Sequence, residues 1–288
     1  MRRIVLLPLL LVLLAIGVAA CGSDDDGDST AAATAAGTAA ANAGRPSSEP
    51  LRVGATPVPH VEILQFVQDE LAARAGLTLD IREFTDYVVP NTALDEGQLD
   101  ANYFQTPGYL EDQSRARGYD FVSVADVHIE PLGIYSSKVR SLDEIADGAT
   151  VAVPNDPANE ARALRLLDAE GVISLEDPDS ETATPRDIAE NPKDLEFEEV
   201  EAAQTPRALD DVDLAVINGN YALEARLSPA EDALALERAA GNPNVNLLVT
   251  TPDLESDPRI VELARLLRSP QVRRFIADRY RGAVIPAE

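Results

Sequence analysis

Three short segments carry residue types that could hold a small charged molecule. The first is Asn155-Asp-Pro-Ala-Asn-Glu-Ala-Arg162. An apolar stretch ends at Pro154 and Pro157 opens a helical pattern, so Asn159 and Arg162 share one face of its first turns. A guanidinium beside the positive end of a helix can grip a carboxylate through two hydrogen bonds. The second segment is Leu214-Ala-Val-Ile-Asn-Gly-Asn-Tyr221, in which an apolar strand stops abruptly at Asn218. That places Asn218 at a strand end, where ligand sites gather in α/β sheets. The third is aromatic: Phe84-Thr-Asp-Tyr87 and Asn102-Tyr-Phe-Gln105 bring rings that suit an aliphatic or thioether side chain. Each residue also has a plain alternative: Arg162 as a surface arginine, Asn218 as a helix cap, Tyr87 and Phe104 as core.

The elements that must position these residues alternate between strand and helix. Strands are expected at Leu51–Thr56, Leu77–Phe84, Leu99–Phe104, Phe121–Val127, Leu132–Ser136, Thr150–Pro154, Leu195–Val200, Leu214–Ile217 and Val245–Thr250. Helical patterns fall between them, at Pro57–Ala73, after Pro90, at Pro107–Arg117 and at Pro157–Glu170. Two more close the chain, one with Ile260, Leu263 and Leu267 on a face, the next with Val272, Phe275 and Ile276. Ser141-Leu-Asp-Glu144 has the spacing of a capping box. Asp177–Lys193, rich in proline and acid, is expected to be an exposed excursion. Such alternation implies α/β layers with mainly parallel sheets, and a site at the strands' carboxyl ends.

Composition narrows the function. Fifty Asp and Glu against 24 Lys and Arg give a formal charge of -26, which argues against nucleic acid or an anionic membrane surface as partner. The chain has two histidines, His60 and His128, and one cysteine, Cys21. A histidine-built zinc site is therefore not expected, nor is a thiol nucleophile in the body. There is no Gly-rich phosphate loop, HExxH or Gly-x-Ser-x-Gly motif. The expectation is a binding protein, not an enzyme, with no cofactor and no metal. At the start of the chain, Arg2 and Arg3 precede an apolar run, Ile4 to Val18, that ends in Ala19-Ala20-Cys21. This reads as a signal peptide over residues 1–20, being short for a membrane span. It resembles the lipobox of bacterial lipoproteins, which implies lipidation of Cys21 and an extracytoplasmic protein anchored to the cell membrane. Residues 21–50 lack large apolar side chains and are expected to form a disordered tether.

Six pieces in order resemble the methionine-binding lipoprotein family, the solute receptors of methionine ABC importers. They are Val53-Gly-Ala-Thr-Pro-Val-Pro-His60-Val-Glu-Ile-Leu64, Phe84-Thr-Asp-Tyr87-Val-Val-Pro-Asn91, Leu99-Asp-Ala-Asn-Tyr-Phe104-Gln105, Val151-Ala-Val-Pro-Asn-Asp-Pro-Ala-Asn159, Glu190-Asn-Pro-Lys193 and Leu214-Ala-Val-Ile-Asn218. The resemblance implies a two-lobed α/β fold of the periplasmic-binding-protein type that closes on its ligand. Lobe 1 would be 51–134 with 249–288, and lobe 2 would be 135–248. It implies that Tyr87 and Phe104 line a side-chain pocket, that Arg162 with Asn159 binds the ligand carboxylate, and that Asn218 holds the polar end. His60, Thr106 and Tyr109 are further candidates near the cleft. Arg162→Ala is then expected to abolish binding with little loss of fold. The implied partners are L-methionine or a close analogue, a permease with its ATPase, and the bilayer through the lipid. Where the family usually has Phe-Gln-His, this chain has Phe104-Gln105-Thr106, which puts the side-chain preference in question. Another apolar amino acid or a methionine dipeptide is the alternative ligand.

Overall fold

The structure is a computed structural model, and its description covers residues 49–287. The expected signal segment, Cys21 and all but the last two residues of the tether lie outside that range. Thirteen strands are present among the described residues: β1 Leu51–Ala55, β2 Leu79–Glu83, β3 Ala101–Gln105, β4 Val122–Ile129, β5 Gly133–Tyr135, β6 Thr150–Pro154, β7 Ser174–Leu175, β8 Ile188–Glu190, β9 Glu196–Val200, β10 Leu214–Ile217, β11 Ala233–Leu236, β12 Val245–Thr250 and β13 Ile285–Pro286. The helices are α1 Glu62–Phe66, α2 Val89–Asp95, α3 Pro107–Arg117, α4 Pro157–Ala169, α5 Thr205–Ala208, α6 Gly219–Glu224, α7 Pro229–Asp232, α8 Pro258–Leu267 and α9 Pro270–Tyr280.

The strands form two main sheets. One runs β13-β4-β12-β3-β1-β2, with β1 parallel to β2 and β3 and with β12 antiparallel to β3 and β4. The other runs β11-β5-β10-β6-β9, with β6 parallel to β9 and β10, and β5 antiparallel to β10 and β11. Each sheet is covered on both faces, which explains strands that read as unbroken apolar runs. Val151, Val153, Leu214 and Val216 point into one core with α4, while Ala152, Ala215 and Ile217 point into another with α6. In the larger sheet, Leu248 packs with α8 and α9, and its neighbours Leu247 and Val249 pack against Leu94 on the far side. This is a two-lobed α/β fold, but its sheets are mixed and not mainly parallel as expected, because β5, β11, β12 and β13 pair antiparallel with their neighbours. The chain passes from the first sheet to the second between Ile129 and Gly133 and returns between Leu236 and Val245. Those crossings fall a few residues before the expected junctions after 134 and 248.

Two local expectations fail. Pro57–Ala73 is not one regular helix: the Val58–Pro59 peptide is cis, Val58 has φ -125° and ψ 132°, and α-helix begins at Glu62. Ser141 makes no capping bond; Glu144 accepts from the Arg140 N–H instead, leaving one 3-10 turn at Leu142–Glu144. A capping box does form inside the 177–193 excursion, where Thr184 and Asp187 start a turn that leads into β8.

Candidate functional site

The side chains singled out from sequence meet where β3, β6 and β10 end. Asp156 caps α4, accepting from the Asn159 backbone N–H at 3.0 Å and from Asn159 Nδ2 at 2.9 Å. Because a carboxylate only accepts, the Asn159 amide nitrogen must face Asp156, and its oxygen is left to take a 2.8 Å bond from Asn218 Nδ2. Asn218 stands at the N-cap position of α6 but makes no capping bond, since its amide serves Asn159. Its Oδ1 is buried and makes no hydrogen bond among the described residues. The same holds for Nδ2 of Asn220, whose Oδ1 accepts from the Tyr87 hydroxyl. A lone buried acceptor and a lone buried donor are thus left in one small region, and such groups are rare unless something else is meant to satisfy them.

Arg162 lies one turn further along α4 and is buried, with its side chain 6% exposed. Its Nε donates to Glu237 Oε1 at 2.6 Å, and Nη2 donates to Glu237 Oε2 at 2.5 Å and to the Glu130 carbonyl at 2.8 Å. Burial opposes the charge on Arg162, but Glu237 keeps its pKa above the usual value. Burial likewise works against Glu237, yet Arg162 and the Leu132 N–H hold that carboxyl below its ordinary range. Glu130 and Glu237 flank the two crossings, so Arg162 ties the second lobe to both. This argues against the expectation that Arg162→Ala would bring little loss of fold, because the substitution orphans a buried carboxylate.

Across from these groups stands an aromatic wall. The Tyr87 ring lies 5.7 Å from Phe104, 5.6 Å from Tyr109 and 4.9 Å from Tyr221, centroid to centroid. The Tyr109 hydroxyl donates to the Tyr87 carbonyl at 3.1 Å. Burial drives the Tyr87 hydroxyl far above its normal pKa, so it stays a donor. A small cavity lies between the wall and the polar groups. Tyr87, Phe104, Thr106 and Tyr109 line one side, and Asn159, Arg162, Asn218 and Asn220 the other. Glu130, from the first crossing, and Asn246, at the start of β12, also line it, and neither was singled out from sequence.

His60 does not line the cavity. It sits behind Asn246, with Nδ1 2.7 Å from Thr56 Oγ1 and Nε2 2.9 Å from Asn246 Oδ1. His60, His128 and Glu130 bring potential ligating atoms within 4.8 Å of one another. Every one of those ring nitrogens has a protein partner, so the cluster forms a buried hydrogen-bond network.

Two α/β lobes, joined by paired crossings and facing each other across a cavity at their strand ends, define the class: a two-lobed binding-protein fold. The family follows from residues 51–288, which match the model of the NlpA lipoprotein family, and the chain belongs to that family. It is 41% identical over 236 residues to the D-methionine-binding lipoprotein MetQ of Salmonella typhi, covering 81% of this chain and 87% of the relative. It is 35% identical over 290 residues to the methionine-binding lipoprotein MetQ of Bacillus subtilis, covering 99% of both. Among solved structures, a nutrient binding protein from Burkholderia cenocepacia bound to methionine superimposes with a TM-score of 0.80 at 45% identity, over 83% of this chain and all of that one.

Proposed function

We propose that the chain is a lipid-anchored solute receptor that binds L-methionine or a close amino-acid analogue and delivers it to the permease and ATPase of an ABC importer. The observation that carries this reading is the pairing of polar groups suited to a zwitterion with an aromatic wall suited to its tail. Arg162 and Asn220 Nδ2 supply donors for a carboxylate, Asn218 Oδ1 supplies an acceptor, and Tyr87, Phe104 and Tyr109 supply an apolar face. The names of the relatives support methionine as the ligand, and the lipoprotein family supports anchoring through Cys21 outside the cytoplasm. Among the described residues no helix is long and apolar enough to cross a membrane. The reading assigns the protein no catalytic step. Closure of lobe 2 on lobe 1 would be driven by contacts made only in the closed state.

One feature favours a second ligand within the same role. Thr106 stands where the family resemblance has histidine, and it lines both the cavity and an adjoining cleft that also reaches Asn159 and Arg162. A ligand larger than methionine, such as a methionine dipeptide, would extend there. The test is calorimetry on the full-length chain in detergent, stripped of carried solute by unfolding and refolding. Saturable one-to-one binding of L-methionine is the expected result. No heat with methionine, against clear binding of a dipeptide or another apolar amino acid, would transfer the role to that ligand.

A further inference from the structure

The acidic charge of the chain is unevenly spread. Residues 258–281, spanning α8 and α9, hold seven of the 24 Lys and Arg but two of the 50 acidic residues, Glu262 and Asp278. Helical spacing sorts α9 into two faces. Val272, Ile276 and Tyr280 are buried in the core of lobe 1. Gln271, Arg274, Phe275, Asp278 and Arg279, at steps of three and four, share the outer face. There Phe275 stacks on Phe66 of α1, with centroids 4.4 Å apart and planes 13° from parallel. Both rings are only partly buried, although by type each suits a core.

Two adjoining grooves meet at Gln271 on this face. Phe66, Phe275, Arg274, Arg279 and Asp278 line one, and Leu71, Ala75, Leu266, Arg74 and Arg265 line the other. Four arginines and one carboxylate therefore rim an apolar floor, in a chain with 50 acidic residues against 24 basic ones. Arg279 is paired with Glu62 and Arg265 with Glu262, at 3.1 and 2.6 Å. Arg74 and Arg274 are exposed and have no ion pair among the described residues. The described chain also begins beside α8, where the Glu49 carbonyl accepts from Arg259 Nη1 at 3.4 Å.

A guanidinium meets a phosphate through two parallel N–H bonds, and phenylalanine rings suit the boundary between headgroups and acyl chains. A second copy would instead set these arginines against one another. The formal charge of -26 argues against an anionic surface for the molecule as a whole. At physiological salt, however, charges farther than about 8 Å from a surface are largely screened, so the facing patch decides. We infer that the two grooves along α9 form a docking face for anionic phospholipid headgroups, on which lobe 1 rests against the bilayer. A lipid on Cys21, ahead of Glu49 in the chain, would hold this lobe close to such a surface. This face works whichever solute the cleft takes.

The chain has no tryptophan, so Gln271→Trp places a single emitter where the two grooves meet. The full-length variant is reconstituted into phosphatidylcholine vesicles, with or without phosphatidylglycerol, that carry a trace of dansyl-labelled headgroup. Energy transfer to the dansyl group is expected to rise about twofold or more with phosphatidylglycerol. The gain should vanish at about 1 M salt, where screening acts over roughly 3 Å. Each arginine near an anionic surface strengthens attachment about fivefold, so Arg74→Ala/Arg274→Ala should lower the docked-to-free ratio roughly 25-fold. Asp179→Trp, exposed on lobe 2, should show no gain. If Gln271→Trp loses its cooperative unfolding transition, Phe275→Trp reports from the same face and keeps a ring in the stack. Equal transfer in both vesicles, a gain that survives the double substitution, or an equal gain at Asp179→Trp would overturn the inference. So would self-association in detergent that the double substitution abolishes, since the face would then belong to a second copy. Each of these outcomes leaves the receptor reading intact, because none involves the cleft.

Discussion

Removing Arg162 should cost stability as well as binding, and by an amount the geometry sets. Arg162→Ala deletes three hydrogen bonds, two to Glu237 and one to the Glu130 carbonyl. Among the described residues Glu237, with its side chain 13% exposed, then keeps the Leu132 N–H and Asn242 Nδ2 as partners. Breaking a buried pair from one side leaves an uncompensated charge and costs about 3–5 kcal/mol. At roughly 2–4 °C per kcal/mol for a body of this size, the melting temperature should fall by about 6–20 °C. The sign with pH follows from Glu237. Its folded pKa lies below the ordinary value in the wild type, so its contribution is present above that value and is lost as pH falls. Without Arg162, burial is no longer opposed, and protonating Glu237 relieves the variant. The gap between variant and wild type should therefore narrow toward pH 4. Arg162→Ala/Glu237→Gln, which removes the orphaned charge, should recover most of the lost stability at pH 7. Thermal unfolding of the three proteins at pH 7 and pH 4 measures all of this. A single variant within about 1 °C of wild type, or a double variant no better than the single, would refute the reasoning.

Two further outcomes can be checked with the same preparations. Gly219→Ala must displace Glu130, since the new methyl would sit 2.8 Å from its Cβ, and methionine affinity should fall at least about tenfold with melting lowered by a few degrees; unchanged calorimetry would show that the Glu130 wall yields freely. Glu160 has its pKa pushed up to about 7 by burial and by Glu199 and Asp156, and its Oε1 has no partner among the described residues. A carboxyl raised in the folded state lends stability below its ordinary pKa and loses it as pH climbs through about 7. Because Glu199 is exposed to water, the full shift is discounted, and Glu160→Gln should be more stable than wild type by about 1 kcal/mol at pH 8. The two should be equal at pH 5, and parallel urea midpoints at both pH values would contradict this.

Much of the framework was legible because its signals are local. Thr150–Pro154, Leu214–Ile217 and Val245–Thr250 are strands over those same residues, their apolar runs bounded by turn or polar residues. Pro107 and Pro157 mark helix starts as read. By contrast Ala-Leu-Ala-Leu at 233–236 has a helix former's composition, and it is a strand only because β5 is there to pair with it. The site divides the same way. Asn159 and Arg162 show themselves through helical spacing, as do the aromatic clusters after strands. Glu130, Glu237 and Asn246 carry no such pattern, and their partners lie far off in the chain. Glu237 meets Arg162 across 75 positions, and Asn246 meets His60 across 186. One clue was available for Asn246: a lone polar residue at the start of the apolar strand Val-Asn-Leu-Leu-Val, where a buried amide needs a purpose.

The order of the strands has a mechanical consequence. β1 lies inside the six-stranded sheet and β13 forms its edge, so the first and last strands of the described chain belong to the same lobe. The five-stranded sheet is an insertion that hangs from two neighbouring strands, β4 and β12, and holds neither end. A restraint applied ahead of Leu51 is therefore borne by one lobe alone. If the proposed anchor at Cys21 holds the protein, its load would fall on the six-stranded lobe, and the five-stranded lobe would be left to move about its two attachment points.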